Sequence, residues 1–142
     1  MLTSRKLEDL SPAVQARARA FLGACAAQGL DVLVTCTLRD YEAQAALFAQ
    51  GRTAPGPIVT NARPGESWHQ FGCALDVVPL RNGKPVWGTK GADGTLWALI
   101  GDIGQEHGLE WAGRWSHFRE MPHFQHIGGL TLEQARAGKR PV

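Results

Sequence analysis

Residues 67–79 read SWHQFGCALDVVP, and how this stretch is read decides the fold. A polar opening with a serine, a histidine and a glycine runs into CALDVVP (73–79), an apolar, partly β-branched run typical of a strand. Alternate residues of a strand share a face, so Gly72, Ala74 and Asp76 point one way and Cys73, Leu75 and Val77 the other. A carboxylate inside such a strand is costly unless a cation, hydrogen-bond donors or a metal meets it. The two minimal side chains beside Asp76 leave its face open as a pocket. His69, just before the strand, can lean over that pocket.

Elements on either side follow from local chemistry. Ser11-Pro12 offers a capping hydroxyl and then proline at the first helical position. Val14, Ala18, Phe21, Leu22 and Cys25 continue at helical spacing, and Gly29 ends the helix. DVLVTCT (31–37) reads as a central strand. Asp40 caps a second helix, YEAQAALFAQ, and the Gly-, Pro-, Thr- and Asn-rich stretch from Gly51 to Gly65 reads as an exposed loop. Asn82-Gly83 predicts a turn into KPVW. Asp93 is the expected cap of a third helix with Leu96, Leu99, Ile100 and Ile103 as its apolar stripe, ending at Gly108. LEWA (109–112) and HFQHI (123–127) read as two short strands. This order predicts an α+β domain with a small antiparallel sheet flanked by helices. One domain of 142 residues is expected, its core over about 10–127 and a polar tail over 128–142.

Composition narrows the function. Hydrophobic residues at 44% and charged residues at 20% are ordinary for a globular domain, and a net charge of +2 is too small to imply a nucleic-acid partner. Three cysteines (Cys25, Cys36 and Cys73), an odd count without a C-x-x-C pair, argue against a disulfide framework or a cysteine zinc cluster. No apolar run approaches a membrane span, and Arg17 and Arg19 interrupt the nearest candidate leader. The expectation is therefore a monomer made in the cytoplasm without a signal peptide and without membrane insertion.

A second polar group stands at Glu120-Met121-Pro122-His123-Phe124-Gln125. Proline suits the start or edge of a strand, after which His123 and Gln125 share one face. His69, Asp76 and His123 then make two imidazoles and one carboxylate, a donor set common for catalytic zinc with water in the fourth position. Glu120, close to His123 but not needed as a ligand, is free to act as the general base on that water.

These motifs resemble the zinc D-alanyl-D-alanine carboxypeptidase family, in particular its L-alanyl-D-glutamate endopeptidase branch, which includes bacteriophage endolysins. The family pattern S-x-H-x-x-G-x-A-x-D is met by Ser67, His69, Gly72, Ala74 and Asp76. Its acidic residue, two positions and H-F are met by Glu120, His123 and Phe124. WAGRW (111–115) precedes that second motif as in the family, and TCTLRD with Gln44 matches an upstream strand, arginine and glutamine. The resemblance implies a fold like that of these peptidases and of hedgehog domains. It implies one zinc ion per chain on His69, Asp76 and His123, and Glu120 as catalytic base. It also implies that Arg39 faces the site, holding a substrate carboxylate or the developing oxyanion. Ser67, Gln44 and Trp115 are the candidate substrate contacts. The implied substrate is a peptidoglycan stem peptide, reached at the cell wall after release through a holin-like pore, lysis or non-standard export. A D-Ala-D-Ala carboxypeptidase or dipeptidase, and a non-catalytic zinc-containing binding module, are the alternatives. Some phage relatives carry an acidic calcium-binding loop near the catalytic residues. Between Gly108 and Glu120 the only acid here is Glu110, so no calcium switch is expected.

Overall fold

A computed structural model describes residues 1–142. Its centre is a five-stranded antiparallel sheet: β1 (Asp31–Cys36), β2 (Ala74–Arg81), β3 (Lys84–Pro85), β4 (Glu110–Trp111) and β5 (His123–Gln125). The order is β1-β2-β5-β4, with β3 folded back on the end of β2. Four α-helices accompany it: α1 (Pro12–Ala27), α2 (Tyr41–Ala49), α3 (Gly91–Glu106) and α4 (Leu132–Arg136). The expected α+β class holds.

One face of the sheet meets α1 and α3. Val14, Ala18, Phe21 and Cys25 of α1 and Trp97, Ile100 and Ile103 of α3 enclose Cys73, Leu75, Val77, Trp111 and Phe124. Phe124 is the pivot, 4.7 Å from the Phe21 ring and stacked at 6.2 Å on Trp111. Helix α3 lies this close to β4 and β5 because Gly101 and Gly104 present no side chain. A Cβ at Gly101 would enter the Trp111 indole, and one at Gly104 the Phe124 ring. Gly101→Ala should therefore destabilise the fold by about 1–3 kcal/mol through overpacking, despite the roughly 1 kcal/mol that alanine gains in helix propensity. Urea unfolding tests this; a variant as stable as the parent would mean that α3 can retreat from the sheet.

Several sequence expectations need correction. DVLVTCT is an edge strand, not a central one: β1 pairs only with β2, and Leu33 is 40% exposed. Helix α3 starts at Gly91, two residues before Asp93, because Asp93 is drawn to Arg81 at 2.7 Å instead of capping. Trp97 replaces the exposed Leu99 in its buried stripe. Gly72 lies before β2, at φ +67, where a Cβ would meet the Ser11 backbone nitrogen at 2.9 Å. Its role is the left-handed turn into the strand rather than leaving a pocket open. The tail beyond residue 127 is structured as well. Thr131 and Gln134 form a capping box at the start of α4, Ala135 enters the core, and Arg136 reaches the Gly65 carbonyl at 2.8 Å.

Pro12 takes the first position of α1 as expected, but the Ser11 hydroxyl before it makes no cap bond and is buried without a partner. Asp40 caps α2 through the Ala43 amide, and Asn82 and Gly83 both take the left-handed backbone of a tight hairpin. No helix is long and apolar enough to cross a membrane.

Candidate active site

Strand parity assigns the two faces of the sheet. Register pairs Asp76 with His123, Ala74 with Gln125 and Gln125 with Glu110. These polar residues thus share the face opposite Leu75, Phe124 and Trp111. Above it opens a cleft of about 920 Å³, lined by Arg39, Ser67, His69, Asp76, Trp115, Glu120 and His123 among others. Trp68, Trp87 and Phe118 add apolar wall. Seven of the eight candidate residues therefore converge on one cleft. The eighth, Gln44, does not: it is fully buried and outside the lining.

His69 sits in a short 3-10 turn, Trp68–Phe71, that Ser67 caps by accepting from the His69 amide at 3.3 Å. A bulge between Val34 and Cys36 in β1 precedes Thr37, whose carbonyl lies 2.8 Å from His69 Nδ1. A carbonyl can only accept, so His69 carries its proton on Nδ1. His69 Nε2 points at Asp76 Oδ1, 3.2 Å away. His123 arrives from the other side, with Nδ1 at 3.3 Å from the same oxygen and Nε2 at 2.8 Å from Gln125 Oε1. Two imidazole nitrogens on different elements thus aim at one carboxylate oxygen, and each ring is held by its outer nitrogen. A tetrahedral divalent ion takes such a donor set, and outer hydrogen bonds of this kind fix ligating histidines.

Cys36 offers a second grouping with His69 and Asp76. Its Sγ is 3.7 Å from His69 Nδ1, the nitrogen already engaged by Thr37, and it accepts from Arg39 Nη2 at 3.5 Å. Cys36 therefore faces the outer side of the ring, and His123 is the better third donor.

Arg39 follows β1, its amide bonded to the His69 carbonyl. Its guanidinium donates to Gln44 Oε1 at 2.9 Å and lies 3.8 Å from Asp76 Oδ2. Arg39 Nε is buried without a hydrogen-bond partner. Gln44 spends its amide on Arg39 and on the Ala62 carbonyl at 2.8 Å, so it braces the arginine and the loop instead of meeting a substrate. Glu120 stands at the rim, its side chain 56% exposed and Oε2 3.7 Å from His123 Nδ1. Trp115 tilts toward His123 with ring centroids 5.7 Å apart.

Electrostatics tie the centre together. Burial alone would lower the His69 pKa, but the Asp76 charge and hydrogen bond, helped by Cys36, hold it up at about 10. Burial alone would raise Asp76, but the His69 charge and the hydrogen bonds from His123 and His69 keep it well below the usual carboxylate range. The signs fix a pH profile for the metal-free protein. The His69 contribution is complete below its ordinary 6.5 and disappears as pH climbs through about 10. That of Asp76 is complete above its ordinary 3.8 and disappears as pH falls below it. Thermal unfolding of chelator-treated protein should thus show this contribution at its fullest between these two ordinary values and declining toward pH 10. A metal-free protein that gains stability between pH 7 and 9 would contradict the pairing.

Comparison with known proteins bears on what such a cleft does. A family profile described as D-alanyl-D-alanine carboxypeptidase matches residues 60–126, a span that holds His69, Asp76, Glu120 and His123 but not Arg39 or Gln44. Over 125 residues the chain is 38% identical to the peptidoglycan L-alanyl-D-glutamate endopeptidase CwlK of Bacillus subtilis, covering 84% of this chain and 74% of that protein. The chain belongs to this peptidase family. An L-alanyl-D-glutamate peptidase of Listeria phage A118 is 33% identical over 121 residues, though this chain spans only 38% of its length. The fold is shared with the Serratia marcescens L-Ala D-Glu endopeptidase ChiX at a TM-score of 0.64 and 22% identity, over 94% of this chain and 91% of that one. As a family member the chain is a peptidase.

Three features of the site escaped the sequence reading. Thr37 acts through its backbone, which no side-chain motif reports. Gln125 was legible by parity with His123 but carried no ligand chemistry of its own. Glu110 was legible only as an isolated acid, because its neighbours are set by the β4–β5 register.

Proposed function

We propose that this protein is a zinc peptidase that hydrolyses the L-alanyl-D-glutamate bond of peptidoglycan stem peptides. The observation that carries the reading is the convergence of His69 Nε2 and His123 Nδ1 on one oxygen of Asp76 at the floor of a wide cleft, with Glu120 at its rim. The choice of bond rests on the likeness to CwlK, whose name states that specificity.

In this reading His69, Asp76 and His123 hold the ion. Bound zinc would supply Lewis acidity, bringing the pKa of its water from about 15.7 toward about 7. Glu120, exposed and 3.7 Å from His123, would accept the proton of the attacking water. It later returns that proton to the leaving amine of D-glutamate. Arg39, braced by Gln44 and lining the cleft, offers its guanidinium to the developing oxyanion or to a substrate carboxylate. Ser67 holds the turn that presents His69, and Trp115 lines the wall along which the peptide lies. Such a substrate places the enzyme's work at the cell wall.

The test is mass spectrometry of purified peptidoglycan fragments after incubation, with and without chelator. A new N-terminal D-glutamate, lost under chelation and restored by zinc, is the expected result. Release of D-alanine alone would assign the carboxypeptidase cut. Zinc-loaded, folded protein that cleaves nothing would leave a binding module.

A further inference from the structure

We propose that Glu110 is a positioning residue for His123: it sets the tautomer of that ring through Gln125 and, with its other oxygen, anchors Trp115 on the cleft wall. This rests on the zinc reading above. The two histidines are held in different ways. His69 leans on a backbone carbonyl, which can only accept, so its tautomer needs no further control. His123 leans on the side-chain amide of Gln125, which could present either its oxygen or its nitrogen. With the oxygen toward the ring, His123 keeps its proton on Nε2 and turns the Nδ1 lone pair to the Asp76 side. With the amide reversed, its NH2 would meet Nε2, the proton would move to Nδ1, and no lone pair would remain there for an ion.

Glu110 makes that choice. β4 and β5 place it directly across from Gln125, whose Nε2 lies 3.4 Å from Glu110 Oε1. A carboxylate accepts and never donates, so the amide must turn its NH2 to Glu110 and its oxygen to His123, 2.8 Å away. Gln125 is only 4% exposed, so water does not substitute freely for either partner. The second oxygen of Glu110 accepts from the Trp115 indole at 2.6 Å. Trp115 begins the segment that leads to Glu120, and its ring lies beside His123. One exposed carboxylate therefore sets the hydrogen-bond polarity behind a ligand and pins the start of the segment bearing the base.

Glu110→Ala and the near-isosteric Glu110→Gln test this in the full chain. The readouts are zinc affinity, by competition with a chromophoric chelator, and the His123 Nε2–H resonance of the zinc-loaded, 15N-labelled protein. The parent should show a protected Nε2–H. Glu110→Ala should weaken zinc about 10–100-fold and expose that proton to exchange. Glu110→Gln should fall between, since an amide at 110 can accept from Gln125 but can also donate. A merely structural role would lower thermal stability while leaving the resonance and the affinity of folded protein unchanged. A parent that binds no zinc refutes the metal reading itself. A parent that binds zinc, with Glu110→Ala binding it equally tightly and keeping the protected proton, overturns the positioning role.

Discussion

Replacing Glu120 with alanine should cut turnover by about 10²- to 10⁴-fold, the usual contribution of a positioned general base. Zinc content should stay at one per chain. The loss belongs to kcat, because the carboxylate is needed when the water is deprotonated and the amine departs, not when the peptide docks. Stability should move by less than about 0.5 kcal/mol, as for other exposed positions outside a network. Glu120 is suited to this separation of effects. It reaches within 3.7 Å of His123 Nδ1, yet its side chain is 56% exposed and outside the tight cluster around Asp76. Glu120→Gln, which keeps the shape without the base, should lose as much activity as alanine. Full activity in either variant would take the role from Glu120. Loss of zinc with the activity would make it a ligand.

Asp76→Ala carries the second large effect, on metal and fold together. Two imidazole nitrogens, at 3.2 and 3.3 Å, now share one carboxylate oxygen, and Arg39 lies 3.8 Å from the other. Removing the anion leaves these groups facing one another with nothing between them. The metal-free fold should lose about 3 kcal/mol, the lower end for breaking a buried charged pair, since His69 can relieve part of the cost by releasing its proton. Zinc should no longer bind stoichiometrically, and activity should go with it. Asp76→Asn separates the two contributions. Its oxygen can still accept a hydrogen bond, so part of the stability returns, but without the charge zinc should remain weak. Metal content by atomic absorption and unfolding of the chelated protein read both. Stoichiometric zinc in Asp76→Ala would remove this residue from the ligand set and with it the proposed centre.

Much of the site was legible because strand parity is a local rule. From CALDVVP alone, Asp76 was separated from Cys73, Leu75 and Val77, and the structure buries those three against α1 and α3. The same rule put His123 and Gln125 together on one face, and the structure buries Phe124 on the other. Pro12 at the start of α1, the Asp40 cap and the hairpin at Asn82-Gly83 held because these signals depend on one or two residues, whereas the Ser11 hydroxyl makes no cap bond.

Where the reading went astray, long-range partners outweighed local preference. DVLVTCT has the composition of a central strand, but composition cannot count neighbours, and only β2 pairs with it. Asp93 is a good cap by type, yet Arg81, twelve residues earlier, offers it a charged partner. Gln44 matched a motif position but turned inward, because a buried amide on α2 can satisfy both Arg39 and the Ala62 carbonyl. The polar tail was expected to lie outside the core and instead contributes Ala135 to it.

The sequence by itself determined the α+β class, the face on which Asp76 and His123 stand, and the residue types able to hold a metal and a base. Only the tertiary structure decided that His69 Nε2 and His123 Nδ1 meet the same Asp76 oxygen, that Thr37 and Gln125 hold the outer nitrogens, and that Glu110 stands behind Gln125. Periodicity specifies which way a side chain points from its own backbone. Which nitrogen of a ring faces which atom depends on the register of separate strands and on a bulge in β1, and these are fixed only when the whole sheet closes against its helices.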